Sequence, residues 1–179
     1  TVYPGYADGS ASTARFRGAC GIVLSADERY LYIGERDNNV VRSIDLKEGV
    51  VATDAGVPLF GQTKGDFLDG PAMLATRDGC SQLDYDNKGN LYVCDRFNHV
   101  VRKITPTKGD PMHGKEVTTY AGTPLKGGRA GGPASSALFL QPWGLAVDRK
   151  RDVIYVGDTG NSRIVVLGTY KRLWPVFLN

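Results

Sequence analysis

Carboxylates and histidines are the side chains of this sequence that could carry catalysis or hold a metal ion. One acidic residue recurs in each third of the chain, as Glu35, Asp95 and Asp158. If these three carboxylates converged, they could coordinate a hard cation. A zinc site of three histidines is excluded within one chain, because the sequence has only His99 and His113.

The spacing of the three acids favours a structural role over a metal site. Each acid stands three residues before an asparagine, at the predicted end of a strand. An acid in this position can cap the following turn through its side chain. Because the spacing recurs in every third of the chain, we interpret it as part of a repeating unit. We therefore predict no catalytic residue, no metal site and no cofactor, and the sequence has no nucleophile elbow or phosphate-binding loop.

The two residues between each acid and its asparagine differ from one third of the chain to the next. They are Arg36-Asp37, Arg96-Phe97 and Thr159-Gly160. Loops on a rigid scaffold often carry binding residues, and two arginines with a phenylalanine could stack on bases or hold acidic groups. We predict that Arg36, Asp37, Arg96 and Phe97 contact a partner, with solvent-exposed turn tips as the alternative.

The three cysteines give no sign of a disulfide. Cys80 and Cys94 lie on two predicted strands of one hairpin. The hairpin register places Cys80 opposite Asp95 or Arg96 rather than opposite Cys94, so we expect small buried apolar side chains instead of a bridge. An odd number of cysteines without a CxxC motif favours a reducing, intracellular compartment.

Length and composition indicate one globular domain or a piece of a larger protein. The 179 residues carry 22 Lys and Arg against 19 Asp and Glu, and the net charge of +3 is too small to indicate nucleic-acid or acidic-membrane binding. No apolar run approaches the roughly 20 residues that span a bilayer, so we expect no membrane insertion. The 23 glycines, with frequent Val, Ile and Tyr, favour many short strands joined by turns.

The candidate residues belong to a unit that occurs three times. In each unit an Ala precedes a Gly by seven residues, and an apolar run, the acid and the asparagine follow in that order. The first two units close with a predicted fourth strand, at 51–56 and 117–122. We predict blades of four short strands at approximately 14–56, 72–122 and 137–179. Because the first two strands of each unit are apolar runs, we expect both faces of each sheet to be buried.

The second unit carries the most specific pattern. Its segment from Asp95 to Arg102, preceded by Leu-Tyr-Val and followed by Thr-Tyr-Ala-Gly, resembles an NHL repeat. The other units resemble it with drift, since Glu35 replaces the Asp in the first and Val165 replaces the Arg in the third. The resemblance implies an all-β fold, a β-propeller of NHL type that usually has six blades. This chain would supply three four-stranded blades, which is half of such a ring.

Further residues of the unit have expected structural roles. We predict that Gly9, Gly70 and Gly132 adopt positive φ in the linkers between blades. We expect Arg42 and Arg102 either to pair with a carboxylate of a neighbouring blade or to lie on the surface, and we favour an intramolecular role.

The resemblance implies a non-catalytic platform that binds a protein or another macromolecule through its loops. The first alternative is a hydrolase or lyase that holds a metal ion in the central channel, as some proteins of this architecture do. The second alternative is single-stranded RNA binding through the turns that carry Arg36 and Arg96.

Three blades are too few for a closed ring, and half a ring would expose the apolar faces of its terminal blades. A homodimer with two-fold symmetry would supply six blades. Residues 1–5 resemble an outer strand of a preceding or partner blade and could latch such a ring. The tail at 171–179 is the competing candidate, and Pro175 confines it to an outer position. The rival explanation is that further blades lie in a longer natural chain.

Overall fold

The computed structural model describes residues 4–58, 69–71, 80–106 and 116–168. Its strands form three antiparallel sheets, which we call blades 1, 2 and 3 in chain order. Within these residues the only helical element is a short 3₁₀ turn at Thr159–Asn161. The sheets confirm the predicted all-β fold built of propeller-type blades. Whether the three blades form half of a six-bladed ring stays a prediction.

Blade 1 contains four six-residue strands and one very short edge strand, in the order β1-β5-β4-β3-β2. Runs of Val, Ile and Tyr favour extended backbone in the long strands. Asn39 closes the turn between the third and fourth strands in a left-handed conformation, with φ of 57°. The strands are β1 (Gly9–Ser10), β2 (Ala19–Leu24), β3 (Tyr30–Glu35), β4 (Val40–Asp45) and β5 (Val50–Ala55).

Blade 2 repeats this topology in the order β6-β10-β9-β8-β7. Its register pairs Cys80 with Asp95, which confirms the predicted hairpin register, and a bulge follows between Cys80 and Leu83. Cys94 is a free, fully buried thiol whose pKa is raised by burial. The strands are β6 (Gly70–Pro71), β7 (Cys80–Tyr85), β8 (Leu91–Asp95), β9 (Val100–Thr105) and β10 (Glu116–Ala121).

Blade 3 has three strands among the described residues, in the order β11-β12-β13. They are β11 (Gly144–Asp148), β12 (Val153–Asp158) and β13 (Arg163–Leu167). The predicted fourth strand and the tail at 171–179 fall outside the described residues, as do residues 1–3 of the predicted latch and His113. The boundaries of the three blades therefore stay a prediction at these points.

The linkers before the blades contain two features of interest. Gly9, Gly70 and Gly132 have φ of 120°, 135° and 122°, which confirms the predicted positive φ. The first two glycines also begin β1 and β6, which pair with the outer strands β5 and β10. These two edge strands were not predictable from sequence, because two residues headed by glycine give no strand signal.

Two apolar layers hold the three blades together. One layer joins Val41 and Ala55 of blade 1 to apolar residues of blade 2. The other joins Tyr92 and Val101 of blade 2 to a matching set in blade 3. Each internal blade face is therefore buried, as expected from the apolar runs. No helix in the described part of the chain is long and apolar enough to cross a membrane.

Candidate functional site

The acid at the end of β3 anchors a buried polar network beneath the first turn tip. Glu35 is fully buried, and its Oε1 accepts a hydrogen bond from Arg42 Nη1 at 2.8 Å. Its Oε2 accepts hydrogen bonds from Asn38 Nδ2 at 2.6 Å and from the Arg17 backbone N–H at 2.8 Å. Acid, asparagine and arginine thus fix the base of the turn, and we call this trio the turn-base network.

Arg42 makes this network part of a larger buried cluster. Its guanidinium donates to the carbonyl oxygens of Ala7 and Arg15 at 2.7 and 3.0 Å. The rings of Tyr6 and Phe16 each lie 4.9 Å from the guanidinium carbon. Arg42 is fully buried and contacts carboxylates, carbonyl oxygens and two aromatic rings. Its role is therefore structural, and its guanidinium is not available to bind a partner.

Blade 2 contains the same network with an Asp in place of Glu. Asp95 Oδ2 accepts from Asn98 Nδ2 at 2.9 Å and lies 3.5 Å from Arg102 Nη1. Burial raises the pKa of Asp95 to about 7, although the hydrogen bond from Asn98 and the charge of Arg102 act in the opposite direction. Both charged side chains are buried in the same blade.

Blade 3 builds the network from a different position. Asp158 Oδ2 accepts from Asn161 Nδ2 at 2.8 Å and from Arg163 Nε at 2.7 Å. Val165 stands where the first two units have arginine, and Arg163 lies two residues earlier on the same side of β13. The period of two along a strand was the signal that could have identified this replacement from sequence.

The linker aspartates supply a second carboxylate to the two arginines on β4 and β9. Asp8 Oδ1 lies 2.6 Å from Arg42 Nη2, and Asp69 Oδ1 lies 2.7 Å from Arg102 Nη2. The same aspartates accept the backbone N–H of Thr53 and Thr119, each at 3.2 Å. They therefore clip each linker to the outer strand of the blade that follows it.

Arg42 and Arg102 form ion pairs within this chain. The favoured intramolecular role is confirmed, and the expectation that the carboxylate belongs to a neighbouring blade is wrong. Each arginine binds the acid of its own blade and the Asp of the linker before it. The recurring Asp-Gly pair is the sequence signal for the linker contact, although only its glycine had a predicted role.

The three acids do not converge into one site. Glu35, Asp95 and Asp158 each end the second long strand of a different blade, and each is engaged by its own asparagine and arginine. Among the residues that the structure describes, no group of three His, Cys, Asp or Glu side chains could hold a metal ion. The acids act as turn anchors, in agreement with the structural interpretation of their spacing.

The four predicted contact residues lie on the turn tips above these networks. Arg36 and Asp37 form an ion pair at 2.9 Å and are 41% and 30% exposed. Arg96 lies between the rings of Phe97 and Trp143, 4.9 and 4.8 Å from their centroids. Because the three turns join equivalent strands, they lie at the same end of their sheets, and we call them the turn-tip surface.

The second turn tip also crosses the junction between blades 2 and 3. Arg96 Nη2 donates to Gln141 Oε1 at 3.1 Å, and the Gln141 backbone N–H donates to His99 Nδ1 at 3.1 Å. The turn motif itself does not predict Gln141 or Trp143 as neighbours of this tip. They lie 45 and more residues away along the chain, outside the turn motif, and only the packing of blade 3 brings them there.

Comparison with known proteins places these features in context. The family model for the NHL repeat matches residues 139–167. NHL repeat-containing protein 2 of Bos taurus is 29% identical over 170 residues, and that of Gallus gallus is 30% identical over 166. These alignments cover 92% and 89% of this chain but only 22% of each relative, so the chain spans about a fifth of their length.

Solved propeller-type structures are similar in fold. An auxiliary nutrient binding protein from Bacteroides ovatus is 26% identical with a TM-score of 0.62, covering 82% of this chain and 37% of that one. One from Bacteroides thetaiotaomicron is 24% identical with a TM-score of 0.65, over 82% and 36%. A streptogramin B lyase is 16% identical with a TM-score of 0.55, over 88% and 39%. The latter two similarities concern the fold alone.

Proposed function

Because this chain is an NHL-repeat protein of the β-propeller type, we propose that it is a non-catalytic platform that binds a macromolecular partner, most simply a protein, on its turn-tip surface. An NHL-repeat propeller is in general suited to a scaffold or interaction role. The finer proposal is that Arg36, Asp37, Arg96 and Phe97 contact that partner.

The observation that carries this proposal is the division of each turn into a fixed base and a variable tip. The turn-base networks combine an acid, an asparagine and an arginine in all three blades, held by hydrogen bonds that are buried in blades 1 and 2 and part-buried in blade 3. The tips differ in charge, size and polarity from blade to blade. A rigid base limits the conformational entropy that the tips lose on binding, which favours recognition by short loops.

The chemistry of the tips indicates the kind of surface they would contact. The first tip presents a partly exposed Arg36–Asp37 ion pair. The second presents a guanidinium whose central carbon lies within 5 Å of the centroids of two aromatic rings, and aromatic and arginine side chains are enriched at protein interfaces. We therefore propose a protein surface with carboxylate and aromatic groups as the partner.

A paired set of variants tests the proposal. The double variant Arg36→Ala, Arg96→Ala removes two charges from the turn tips, and Lys47→Ala, Lys150→Ala removes the same charge from turns at the opposite end of the sheets. The purified chain serves as bait for quantitative affinity capture, and circular dichroism checks the fold of every variant. We expect partners retained by the wild type and the lysine variant to fall at least tenfold with the arginine variant.

Two results would contradict the proposal. Equal capture by both double variants would remove the turn tips from the interface. Capture of single-stranded RNA instead of protein, weakening steeply with salt, would favour RNA recognition over a protein platform.

We also propose that two copies associate into a ring of six blades. Both terminal blade faces expose apolar side chains, including Ile22 and Leu24 in blade 1 and Ile164 and Val166 in blade 3. Such surface exceeds what isolated apolar residues on a monomer explain, because these side chains lie on continuous sheet faces. Light scattering coupled to gel filtration should give a mass near twice 19.4 kDa, and a stable monomer over the whole concentration range would contradict it.

A further inference from the structure

A pocket of about 190 Å³ lies between blades 1 and 2, at the end of the sheets opposite the turn-tip surface. We call it the inter-blade pocket. Tyr30 and Tyr32 line it from blade 1, and Leu91 and Ile104 line it from blade 2. Asp27, in the turn between β2 and β3, is the charged side chain among the described lining residues. The pocket therefore combines aromatic, aliphatic and anionic groups.

In the equivalent junction between blades 2 and 3, side chains of the chain itself surround the matching tyrosine. The strand registers make Tyr92 equivalent to Tyr32, and Tyr120 equivalent to Asp54. The Tyr120 ring packs edge-on against the Tyr92 ring, with 4.9 Å between their centroids. The Tyr92 hydroxyl donates to Asp86 Oδ2 at 3.1 Å. Tyr92 therefore has an aromatic and a carboxylate partner within its own blade.

Blade 1 carries smaller side chains around Tyr32. The larger residues of blade 2 and the smaller ones of blade 1 that share their register positions are Asp86 and Ser25, Lys103 and Ser43, and Tyr120 and Asp54. Because each replacement removes side-chain volume, space remains beside Tyr32 at the junction of blades 1 and 2. We attribute the inter-blade pocket to these three replacements.

Ser43 adds a buried oxygen next to the pocket. Its side chain is completely buried directly opposite Tyr32, and its Oγ has no hydrogen-bond partner among the residues that the structure describes. A buried hydroxyl without a partner costs free energy and is rare in native structures. Because a hydroxyl rotates about its C–O bond, the Ser43 oxygen can turn toward a cation on that side of the blade.

The carboxylates near the pocket make its electrostatic field negative. The Ser25 hydroxyl donates to Asp27 Oδ1 at 2.6 Å, and this hydrogen bond lowers the pKa of Asp27, so the group is ionised at neutral pH. Burial raises the pKa of Tyr32 to about 12, and the negative charges of Asp54 and Asp27 act in the same direction. A field that opposes ionisation of a phenol favours a bound cation.

Arg29, which lies beside Tyr30, does not cancel this field. Its guanidinium carbon lies 5.1 Å from the centroid of the Tyr30 ring, and its Nη2 lies 2.9 Å from Asp45 Oδ2. The Arg29–Asp45 pair has no net charge, so the charges of Asp27 and Asp54 determine the sign of the field. The contact also shows that the Tyr30 ring attracts a cation.

From these observations we infer that the inter-blade pocket binds an alkylammonium group of the kind that a lysine side chain carries. The rings of Tyr30 and Tyr32 would attract the cation, and Leu91 and Ile104 would contact its alkyl chain. Pockets for drug-sized ligands are roughly 300–1,000 Å³, so a pocket of about 190 Å³ suits a single side chain. The site lies at the opposite end of the blades from the turn-tip surface and does not depend on the proposed function.

The hydrogen bonds of Asp27 favour an ammonium group over a guanidinium group. The Ser25 hydroxyl and the Arg29 backbone N–H both donate to Asp27 Oδ1, at 2.6 and 3.2 Å. This leaves Oδ2 as the acceptor for a ligand. One oxygen suits the compact charge of an ammonium group, whereas a guanidinium group binds a carboxylate best through two parallel hydrogen bonds.

Nuclear magnetic resonance tests the ligand chemistry. The chain is labelled with carbon-13 at the Ile and Leu methyl groups, because Leu91 and Ile104 line the pocket. It is titrated with n-butylammonium chloride, and n-butanol is the uncharged analogue of the same chain length. We expect saturable shifts of the Leu91 and Ile104 methyl signals, with n-butylammonium binding about tenfold more tightly than n-butanol.

A second titration distinguishes the two sources of such a group. N-acetyl-lysine N-methylamide carries the ammonium group on a peptide-like backbone. Methyl shifts with this amide as well as with n-butylammonium assign the pocket to a lysine of a peptide or protein. Shifts with n-butylammonium alone assign it to a free amine.

Three variants locate the site. Asp54→Tyr gives blade 1 the residue that packs on Tyr92 in blade 2, and it should lower the affinity for n-butylammonium about tenfold by occupying the space. Asp27→Asn keeps an oxygen for the hydrogen bonds of the turn and removes the charge, so the affinity should fall about threefold to fivefold. Glu48→Gln removes the same charge from the turn between β4 and β5 and should bind like the wild type. Circular dichroism and thermal unfolding confirm the fold of each variant.

Other results would overturn the inference. Equal affinity for n-butylammonium and n-butanol would show an apolar pocket without preference for a cation. Wild-type affinity in both Asp27→Asn and Asp54→Tyr would place the ammonium group outside the pocket. An equal loss in Glu48→Gln would show attraction to net charge and not to this site. Because the measurements use small amines, none of them affects the partner-capture result for the turn tips.

Discussion

At the scale of single residues, the buried Arg42–Glu35 ion pair is a feature on which the folding free energy depends strongly. Both side chains are completely buried, and the guanidinium satisfies the acid while it also binds Asp8 and two carbonyl oxygens. Removing one partner of a buried ion pair leaves an uncompensated charge, which costs more than removing both. The pair should therefore show strong coupling between its two members.

The first prediction concerns this coupling. Arg42→Met should lower the free energy of unfolding by about 3–5 kcal/mol, because Glu35 is left buried without its counter-ion. The double variant Arg42→Met, Glu35→Met should recover part of the loss. Urea unfolding measures both. Arg29→Met, which removes an exposed partner of Asp45, is the control and should change stability little. Additive losses for the two substitutions would contradict the coupling.

The position of His99 at the junction of blades 2 and 3 determines the protonation state that its imidazole ring needs. It closes the second turn in a left-handed conformation with φ of 60°, and its Nδ1 accepts the backbone N–H of Gln141 in blade 3. Burial lowers the pKa of His99, although the charge of Asp158 acts in the opposite direction. A neutral ring is therefore required, since a protonated Nδ1 cannot accept a hydrogen bond.

The second prediction is a loss of stability in acid. With a folded pKa below that of the unfolded chain, the unfolded state binds more protons as the pH falls. The contribution of His99 is complete above about pH 6.5 and is lost as the pH falls below it. His99→Asn, which retains the preference for the left-handed conformation, should reduce the fall in unfolding free energy between pH 7.5 and 5. His113→Gln is the control, and an equal effect of both substitutions would contradict the assignment to His99.

The residue pattern was predictable from the sequence, whereas some of its contacts were not. The spacing of acid and asparagine was interpreted as turn anchoring because it recurs, and the hydrogen bonds at Glu35 and Asp158 show that role. Arg163 was missed because a strict comparison of positions found Val165 there instead. Trp143 could not be assigned to the Arg96 tip, because their contact depends on how two blades pack.

At the scale of elements, the inner strands of blades 1 and 2 come into close contact. Gly21 of β2 lies against the backbone carbonyl of Ser81 in β7, so closely that a Cβ atom could not fit. Gly21 has no positive φ, so the requirement for glycine here comes from contact and not from backbone conformation. Blades 1 and 2 can therefore approach to this distance only with glycine at this position.

The third prediction uses that contact. Gly21→Ala should lower the free energy of unfolding by about 1–3 kcal/mol, because a backbone carbonyl cannot move aside as a flexible side chain can. Gly131→Ala is the matched control, since a Cβ atom at Gly131 would meet nothing within 4 Å. Thermal and urea unfolding of the two variants give the comparison. Equal unfolding free energies for the two variants would contradict the prediction, because they would show that β2 and β7 can move apart without loss of stability.

The long strands were predictable because Val, Ile and Tyr runs and turn residues mark them clearly. The hairpin register of blade 2 was predictable for the same reason, and the pairing of Cys80 with Asp95 confirms it. The edge strands β1 and β6 were not, since their pairing depends on the linker aspartates and the outer strands and not on their own propensity.

At the scale of the whole molecule, the three blades form a stack with two unlike ends. The internal repeats made the propeller-type architecture predictable, because no single unit can bury both of its faces alone. The sequence also predicted exposed terminal faces. It could not show that the two faces are equivalent to the two sides of the junctions already formed, since that follows only from the register and burial of each blade.

The separation of turn base from turn tip has a consequence for protein engineering. The acid, asparagine and arginine beneath each tip are buried in blades 1 and 2 and buried or partly buried in blade 3. The two residues between acid and asparagine take no part in the hydrogen bonds of that trio. Positions 36, 37 and 159 could therefore be randomised together, whereas Gly160 must be kept because a Cβ atom there would collide with the backbone carbonyl of Leu140. Positions 96 and 97 would be varied with Trp143 retained beside them. The chain would then serve as a display scaffold whose variable positions lie at one end of three joined sheets.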